Sequence, residues 1–256
     1  MTGVEFMPTR LADGIVRLGT PYVNWYLVSD GSAVTVVDAG VPGYRPQLEP
    51  GLGLLGHSLT DVRAVLLTHS DGDHTGVAPA IRDETGAPIH LHPDDAEAAR
   101  NRGAKKTDES MLAELLHPGT YRLLWEFGRN GGMRPPVVDH TVALADGQEL
   151  DVPGRPRVIH TPGHTPGHVA YHFAGAGALF VGDLMCTWHP TRGRRGPQVM
   201  AFNVSTPRSF ESLSKIEALD AGLVLVGHGE PWTGGPAAAV QQARETARSD
   251  GRVPGS

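Results

Sequence analysis

Apolar residues in this chain come in short bursts, and most bursts end on a polar cluster. Runs at 14–18, 24–28 and 33–37, the last two separated by the turn signal Ser29-Asp30-Gly31-Ser32, predict strands, as do 62–67 and 88–91. Helical spacing follows over 75–85, with Gly86 as its stop, and over 93–102, which has Pro at its start and acids in its first turn. Segment 103–138 breaks this rhythm. Apolar residues at helical spacing over 111–116 and 121–127, then the loop Arg129-Asn130-Gly131-Gly132, predict a helical insertion between two strand-rich parts. It is either a lid over a site or plain surface packing. Strand signals return at 141–144, 149–152, 157–160, 169–173, 178–181 and 223–226, with helices predicted over 209–219 and 236–248 and a frayed tail over 249–256. Strands therefore come in two batches, each followed by helices. Polar clusters just after apolar strands put chemistry on loops at one sheet edge, where a rigid scaffold can hold it.

Composition narrows the class. A chain of 256 residues suits one large domain or two small ones, and we expect a single domain over 1–248. Lys+Arg 22 against Asp+Glu 28 gives a net charge of −6, which argues against a binder of nucleic-acid backbones. No run approaches the ~18–20 apolar residues of a membrane span. The N-terminus lacks a basic start followed by an apolar run, so the expected location is the cytoplasm and the expected partner a small-molecule substrate, for a monomer or homodimer. The single cysteine, Cys186, excludes a disulfide framework and a Cys-rich zinc module, and reads as a buried structural thiol. Thirteen histidines remain, several beside Asp and Gly. A metal site here has to be built from imidazole and carboxylate.

The strongest local signal is Thr68-His69-Ser70-Asp71-Gly72-Asp73-His74-Thr75-Gly76, directly after a buried-looking strand. Its four donor side chains, His69, Asp71, Asp73 and His74, sit on a segment whose Gly72 favours a loop folding back on itself, able to aim alternate side chains at two centres. The second cluster is His160-Thr161-Pro162-Gly163-His164-Thr165-Pro166-Gly167-His168, stiffened by two Pro-Gly turns. His164 at the turn is the candidate ligand, His168 a structural residue leading into a strand, and His160 a strand residue. Phe180-Val181-Gly182-Asp183 and Val226-Gly227-His228-Gly229-Glu230 repeat the grammar of an apolar strand ending in a donor. Alone each is weak; jointly, four strand ends each present a metal-type ligand.

At these residues the chain resembles the metallo-β-lactamase-fold hydrolase superfamily, whose pattern H-x-H-x-D-H, then His, Asp and His, reads here as H-S-D-G-D-H, His164, Asp183 and His228. The resemblance runs from the 24–28 strand and Asp38 to His228. It implies an α/β fold, a four-layer αββα sandwich of two mixed sheets flanked by helices, with a binuclear site at one edge between the sheets. One metal ion takes His69, Asp71 and His164, the other Asp73, His74 and His228, and Asp183 bridges them together with a hydroxide. Asp71 departs from the commonest pattern, which has His there. A carboxylate oxygen still binds zinc at about the imidazole distance, ~2.0–2.2 Å. The extra charge makes the site more neutral and a weaker Lewis acid, and its oxygen-richness admits Mn or Fe beside the favoured zinc.

The resemblance implies hydrolysis of an ester-like bond, a thioester, lactone or related carbonyl, by the bridging hydroxide. Asp73 doubles as the catalytic residue that orients the nucleophile or receives its proton. The chain is similar to the glyoxalase II-like and lactonase-like branches. Arg192, Arg194 and Arg195, in a Gly-rich stretch after Asp183, are candidate substrate-binding residues for an anionic group. Tyr22, Trp25, Trp125, Trp188 and Phe202 are candidates to line an apolar cleft. Three alternatives stand: a diiron-type oxidoreductase of the same fold, whose members also carry an acid at the position of Asp71; a β-lactam hydrolase; and a metal-stabilised binding protein without catalysis.

Overall fold

The structure, a computed structural model, describes residues 7–101, 105–109 and 114–250. Strands β1 (Thr9–Ala12), β2 (Ile15–Gly19), β3 (Asn24–Ser29), β4 (Val34–Val37), β5 (Val62–Leu66), β6 (Ile89–Leu91) and β7 (Thr141–Ala143) form one sheet in that order. It is antiparallel from β1 to β4 and parallel from β4 to β7. The second sheet runs β13 (Leu223–Val226), β10 (Ala178–Gly182), β9 (Val169–Phe173), β8 (Arg157–His160), with β10 and β13 parallel and the other pairs antiparallel. A separate ribbon pairs β11 (Met185–Trp188) with β12 (Arg195–Val199). The helices are α1 (Leu48–Leu55), the single turn α2 (Gly72–Thr75), α3 (Ala78–Thr85), α4 (Pro93–Asn101), α5 (Pro118–Arg129), α6 (Thr206–Ile216) and α7 (Gly235–Ser249).

The strands read as unbroken apolar runs because both faces of each sheet are covered. Along β3, Tyr26 and Val28 point into the layer between the sheets, where they meet Val158, Tyr171, Phe173 and Phe180. Trp25 and Leu27 alternate to the opposite face, against Leu48 and Leu52 of α1. Likewise Leu179 and Val181 of β10 face Leu213 and Ile216 of α6 and Val240 of α7. The result is the expected helix–sheet–sheet–helix sandwich, an α/β fold. Among the described residues, no helix is long and apolar enough to cross a membrane.

Three local expectations differ from the structure. The helix predicted over 75–85 begins only at Ala78, because the preceding backbone bonds elsewhere: Ala39 N–H donates to the His74 carbonyl (2.8 Å), and Gly76 and Val77 donate to Gly40 and Ala39 (2.8 and 2.9 Å). Gly76 permits this, since a Cβ there would lie 2.5 Å from Pro42 N. The strand predicted over 149–152 reduces to one bridge, Glu149 to Arg157, since Arg155 N–H turns back to the Val152 carbonyl. The Gly-rich stretch after Asp183 includes the β11–β12 ribbon, which the sequence pattern does not announce. Of the insertion, α5 is helical as read, while 111–113 of the 111–116 expectation lie outside the described residues, as does 251–256 of the tail.

Candidate metal centre

Five strand ends converge at one edge of the sandwich. Asp38 follows β4, His69 to His74 follow β5, His164 lies between β8 and β9, Asp183 follows β10 and His228 follows β13. Cross-links pin these loops from both sheets. Asn24 Nδ2 donates to the carbonyls of Val226 (3.0 Å) and Gly229 (2.7 Å), Tyr26 Oη to Val226 O (2.7 Å), and Tyr171 Oη to Leu67 O (2.7 Å).

All seven predicted donors come together. His69, His164 and Asp183 form one cluster, and Asp73, His74 and His228 another, each with its donor atoms within 4.8 Å of one another. Asp183 touches both: Oδ1 lies 3.4 Å from His74 Nε2, and Oδ2 lies 3.1 Å from His228 Nε2 and 3.5 Å from His164 Nε2. Asp73 Oδ2 is 3.5 Å from His228 Nε2 and 3.7 Å from His74 Nε2. Asp71 Oδ2 is 3.6 Å from His69 Nε2 and 3.1 Å from His164 Nε2. Donors held about 2.0–2.2 Å from a tetrahedral ion sit about 3.3–3.6 Å apart, so these spacings fit cation coordination. Gly227 leaves the room, since a Cβ there would lie 2.2 Å from Asp183 Oδ1.

Every histidine is aimed by its other ring nitrogen. Nδ1 of His74 donates to Asp38 Oδ2 (3.0 Å), Nδ1 of His164 to Asn203 Oδ1 (3.2 Å), and Nδ1 of His228 to the Tyr22 carbonyl. Nδ1 of His69 donates to Thr68 Oγ1 (2.9 Å), whose own hydroxyl donates to Asp38 (3.0 Å). The four Nε2 lone pairs therefore face inward, toward carboxylate oxygens that also only accept. Nε2 of His69, Nε2 of His74 and Oδ1 of Asp183 are buried without a hydrogen-bond partner. Buried acceptors facing acceptors are costly unless a positive charge lies between them.

The electrostatics say the same. Burial alone would lower the His74 imidazole, but Asp183, Asp73 and Asp38 outweigh it and hold it up at about 10. Burial likewise opposes charge on His228, and Asp183 raises it. Asp183 sits well below the usual carboxylate range despite burial, because of His228 and His74. The pocket thus attracts a cation, and a proton is the smallest one available to it. Buried imidazoles and carboxylates in this mix suit zinc and harder divalent ions alike.

The two other histidines of the second cluster lie outside the donor set. His168 Nε2 accepts from the Asp183 N–H (3.1 Å) and its Nδ1 bonds Thr161 Oγ1 (2.8 Å), so it fixes the Asp183 backbone. His160 ends β8, stacked on His92 at 4.2 Å. Cys186 is fully buried, and burial pushes its thiol up, as suits an inert core residue.

A cavity of about 370 Å³ opens over the donors, touching Asp71, Asp73, His164, Asp183 and His228. Its wall is mostly apolar, with Leu123, Leu124 and Phe127 of α5 opposite Met200 and Phe202. The insertion helix is therefore one wall of the site. Of the aromatic candidates only Phe202 lines it. Trp25 is buried in the core, Trp125 is exposed with Arg129 over its ring, and Tyr22 packs edge-on against Trp188. None of the three candidate arginines lines it either. Arg192 is held by Glu114, with Nε 3.0 Å from Oε1, Arg194 pairs with Asp250, and Arg195 borders a separate hollow with Trp188 and Trp232. Their charges are drawn to nearer carboxylates or to another surface. Sequence reasoning missed the cation that does line the cavity, Lys105, and the orienting residues Asn203 and Glu114. It passed over the role of Asp38, although that residue also ends an apolar strand.

Residues 18–228 match the sequence profile of the metallo-beta-lactamase superfamily. A probable metallo-hydrolase of Bacillus subtilis, YqjP, is 26% identical over 235 residues, covering 85% of this chain and 72% of that protein. A hydroxyacylglutathione hydrolase of Cereibacter sphaeroides is 29% identical over 207 residues, covering 79% of this chain and 61% of the relative's length. Among solved structures, a metallo-beta-lactamase family protein from Thermus thermophilus superposes with a TM-score of 0.66 at 26% identity, covering 94% of this chain and 82% of that one. A metallo-beta-lactamase from Cronobacter sakazakii gives 0.68 at 20% identity, covering 96% of each, a likeness of fold alone.

Proposed function

The chain belongs to the metallo-beta-lactamase superfamily of metallohydrolases, and on that premise we propose that it hydrolyses an ester-like carbonyl, a thioester or lactone bearing an apolar acyl part, using divalent cations held by His69, Asp71, Asp73, His74, His164, Asp183 and His228. The observation that carries this reading is the pair of donor clusters sharing Asp183 at the floor of an apolar cavity. Zinc is the favoured ion. Bound there, divalent ions would make water acidic enough to lose a proton near neutral pH and would polarise the carbonyl.

The chain's own groups supply the rest. The apolar wall of Leu123, Leu124, Phe127 and Phe202 takes the acyl chain and excludes water, which strengthens every charge interaction below it. Asp73 is the proton acceptor for the attacking water in this reading, supported by its facing the cavity and lying 3.5 Å from His228 Nε2. Water adds to the carbonyl carbon, the carbon–sulfur or carbon–oxygen bond breaks, and that proton passes to the leaving group. The thioester reading gains support from the similarity to a hydroxyacylglutathione hydrolase. The cavity wall favours an apolar acyl group, since its only Lys or Arg among the described residues, Lys105, is already paired with Asp71.

The test is a panel of acyl thioesters, lactones and a β-lactam, assayed with chelator-stripped and zinc-reloaded protein. Expected is hydrolysis of a thioester or lactone that disappears on stripping and returns on reloading. Equal turnover by the stripped protein would sink the proposal, and turnover of the β-lactam alone would replace the substrate class.

A further inference from the structure

The two donor clusters are not equivalent, because one of them already faces a cation of the chain's own. Lys105 Nζ donates to His164 Nε2 at 2.6 Å and also pairs with Asp71 Oδ2. These are two of the three predicted donors of the first half. His164 Nε2 and Asp71 Oδ2 are both acceptors only 3.1 Å apart, and the Lys105 ammonium is what lets them approach. Among the described residues, no lysine or arginine pairs with Asp73, His74, His228 or Asp183.

We propose that the halves load unequally: Asp73, His74, His228 and Asp183 take a divalent cation first, and Lys105 guards the His69–Asp71–His164 half, so that a second cation enters there only when Lys105 swings out. This rests on the metal-dependent reading above and adds to it an order of filling. Charge favours it. Among the groups that face the ions, three aspartates, one lysine and one divalent ion sum to neutrality, and the further charge of Asp38 lies behind His74 on the first-filled side, so a second divalent ion would enter the less negative half beside a like charge. Residue type favours it too. A neutral imidazole at position 71 would offer Lys105 a hydrogen-bond acceptor but no opposite charge, whereas the carboxylate of Asp71 makes the ion pair. Space allows the displacement, because Lys105 borders the cavity and its side chain can turn into that volume.

The experiment titrates chelator-stripped protein with zinc alone, counting bound ions by native mass spectrometry and measuring affinities by calorimetry. The wild-type chain is expected to bind one ion tightly and a second at least about tenfold more weakly. In Lys105→Met the second ion should tighten by about tenfold or more, with Lys105→Gln as a second neutral variant and Lys105→Arg keeping the wild-type gap. Two ions of equal affinity in the wild type, or superposable isotherms for wild type and Lys105→Met, would overturn the guard while leaving zinc-dependent hydrolysis intact. A wild-type chain that binds no zinc would overturn both.

Discussion

Two donor clusters that meet at the same Asp183 carboxylate are backed by different chemistry. In the Asp73–His74–His228 half, His74 leans on Asp38, a buried carboxylate that in turn accepts from the Thr68 N–H (2.8 Å) and hydroxyl. That charge raises the basicity of the ring and favours a cation in front of it. In the His69–Asp71–His164 half, the groups that touch the rings are neutral, the Asn203 amide and a Thr68 hydroxyl that stands between His69 and Asp38, and the cation in front is Lys105. Burial and Lys105 both lower His164, while Asp71 and Asp183 only partly offset them. Similar donor spacing is thus set in two different electrostatic surroundings, because the groups behind and in front of the donors differ in charge.

The comparison is broken most directly by removing one donor from each half. His74→Ala is expected to lose the tight ion and roughly a thousandfold in hydrolysis, whereas His69→Ala should keep the tight ion and lose roughly ten- to hundredfold. Equal losses in rate and metal count would erase the distinction. The backing groups come next. Asp38→Asn should weaken the tight ion by about ten- to hundredfold, and Asn203→Ala should leave it within about threefold while affecting the second ion, read by competition with a chromophoric chelator. If Asn203→Ala weakened the tight ion as much as Asp38→Asn does, the order of the halves would be wrong.

The smallest effect probes the cavity wall rather than the centre. Glu114 is held below the ordinary glutamate range: burial opposes its charge, but Arg192 and the Thr191 hydroxyl more than compensate. Its folded value is depressed, so its stabilisation is complete above the unfolded value near 4.5 and fades as pH falls below that. Glu114→Gln should therefore cost about 2 kcal/mol at neutral pH, with the gap to wild type narrowing as unfolding is followed from pH 6 to below 4.5. A gap that is constant with pH would mean that Glu114 acts by packing alone.

Much of the architecture was legible because strands covered on both faces must be apolar, and their ends are where polar chemistry can begin. The strands ending before Asp38, His69, Asp183 and His228 all announced themselves in that way. The β11–β12 ribbon did not. Its second strand, Arg195-Gly196-Pro197-Gln198-Val199, carries Gly and Pro and no alternation, so only the partner strand makes it a sheet.

By itself, then, the sequence determined the alternation of strands and helices and the candidate donors at the strand ends, because periodicity and donor grammar are local properties that need few neighbours to read, while the layered α/β sandwich followed from the resemblance that those donors carry. Only the tertiary structure decided which charges meet. Lys105 reaches Asp71 across 34 residues and His164 across 59, and the arginines that looked free are held by Glu114 and Asp250. A charged side chain has no preferred partner along the chain. Its partner is whichever opposite charge the packed backbone brings within a few ångströms, and that is settled only when both sheets are in place.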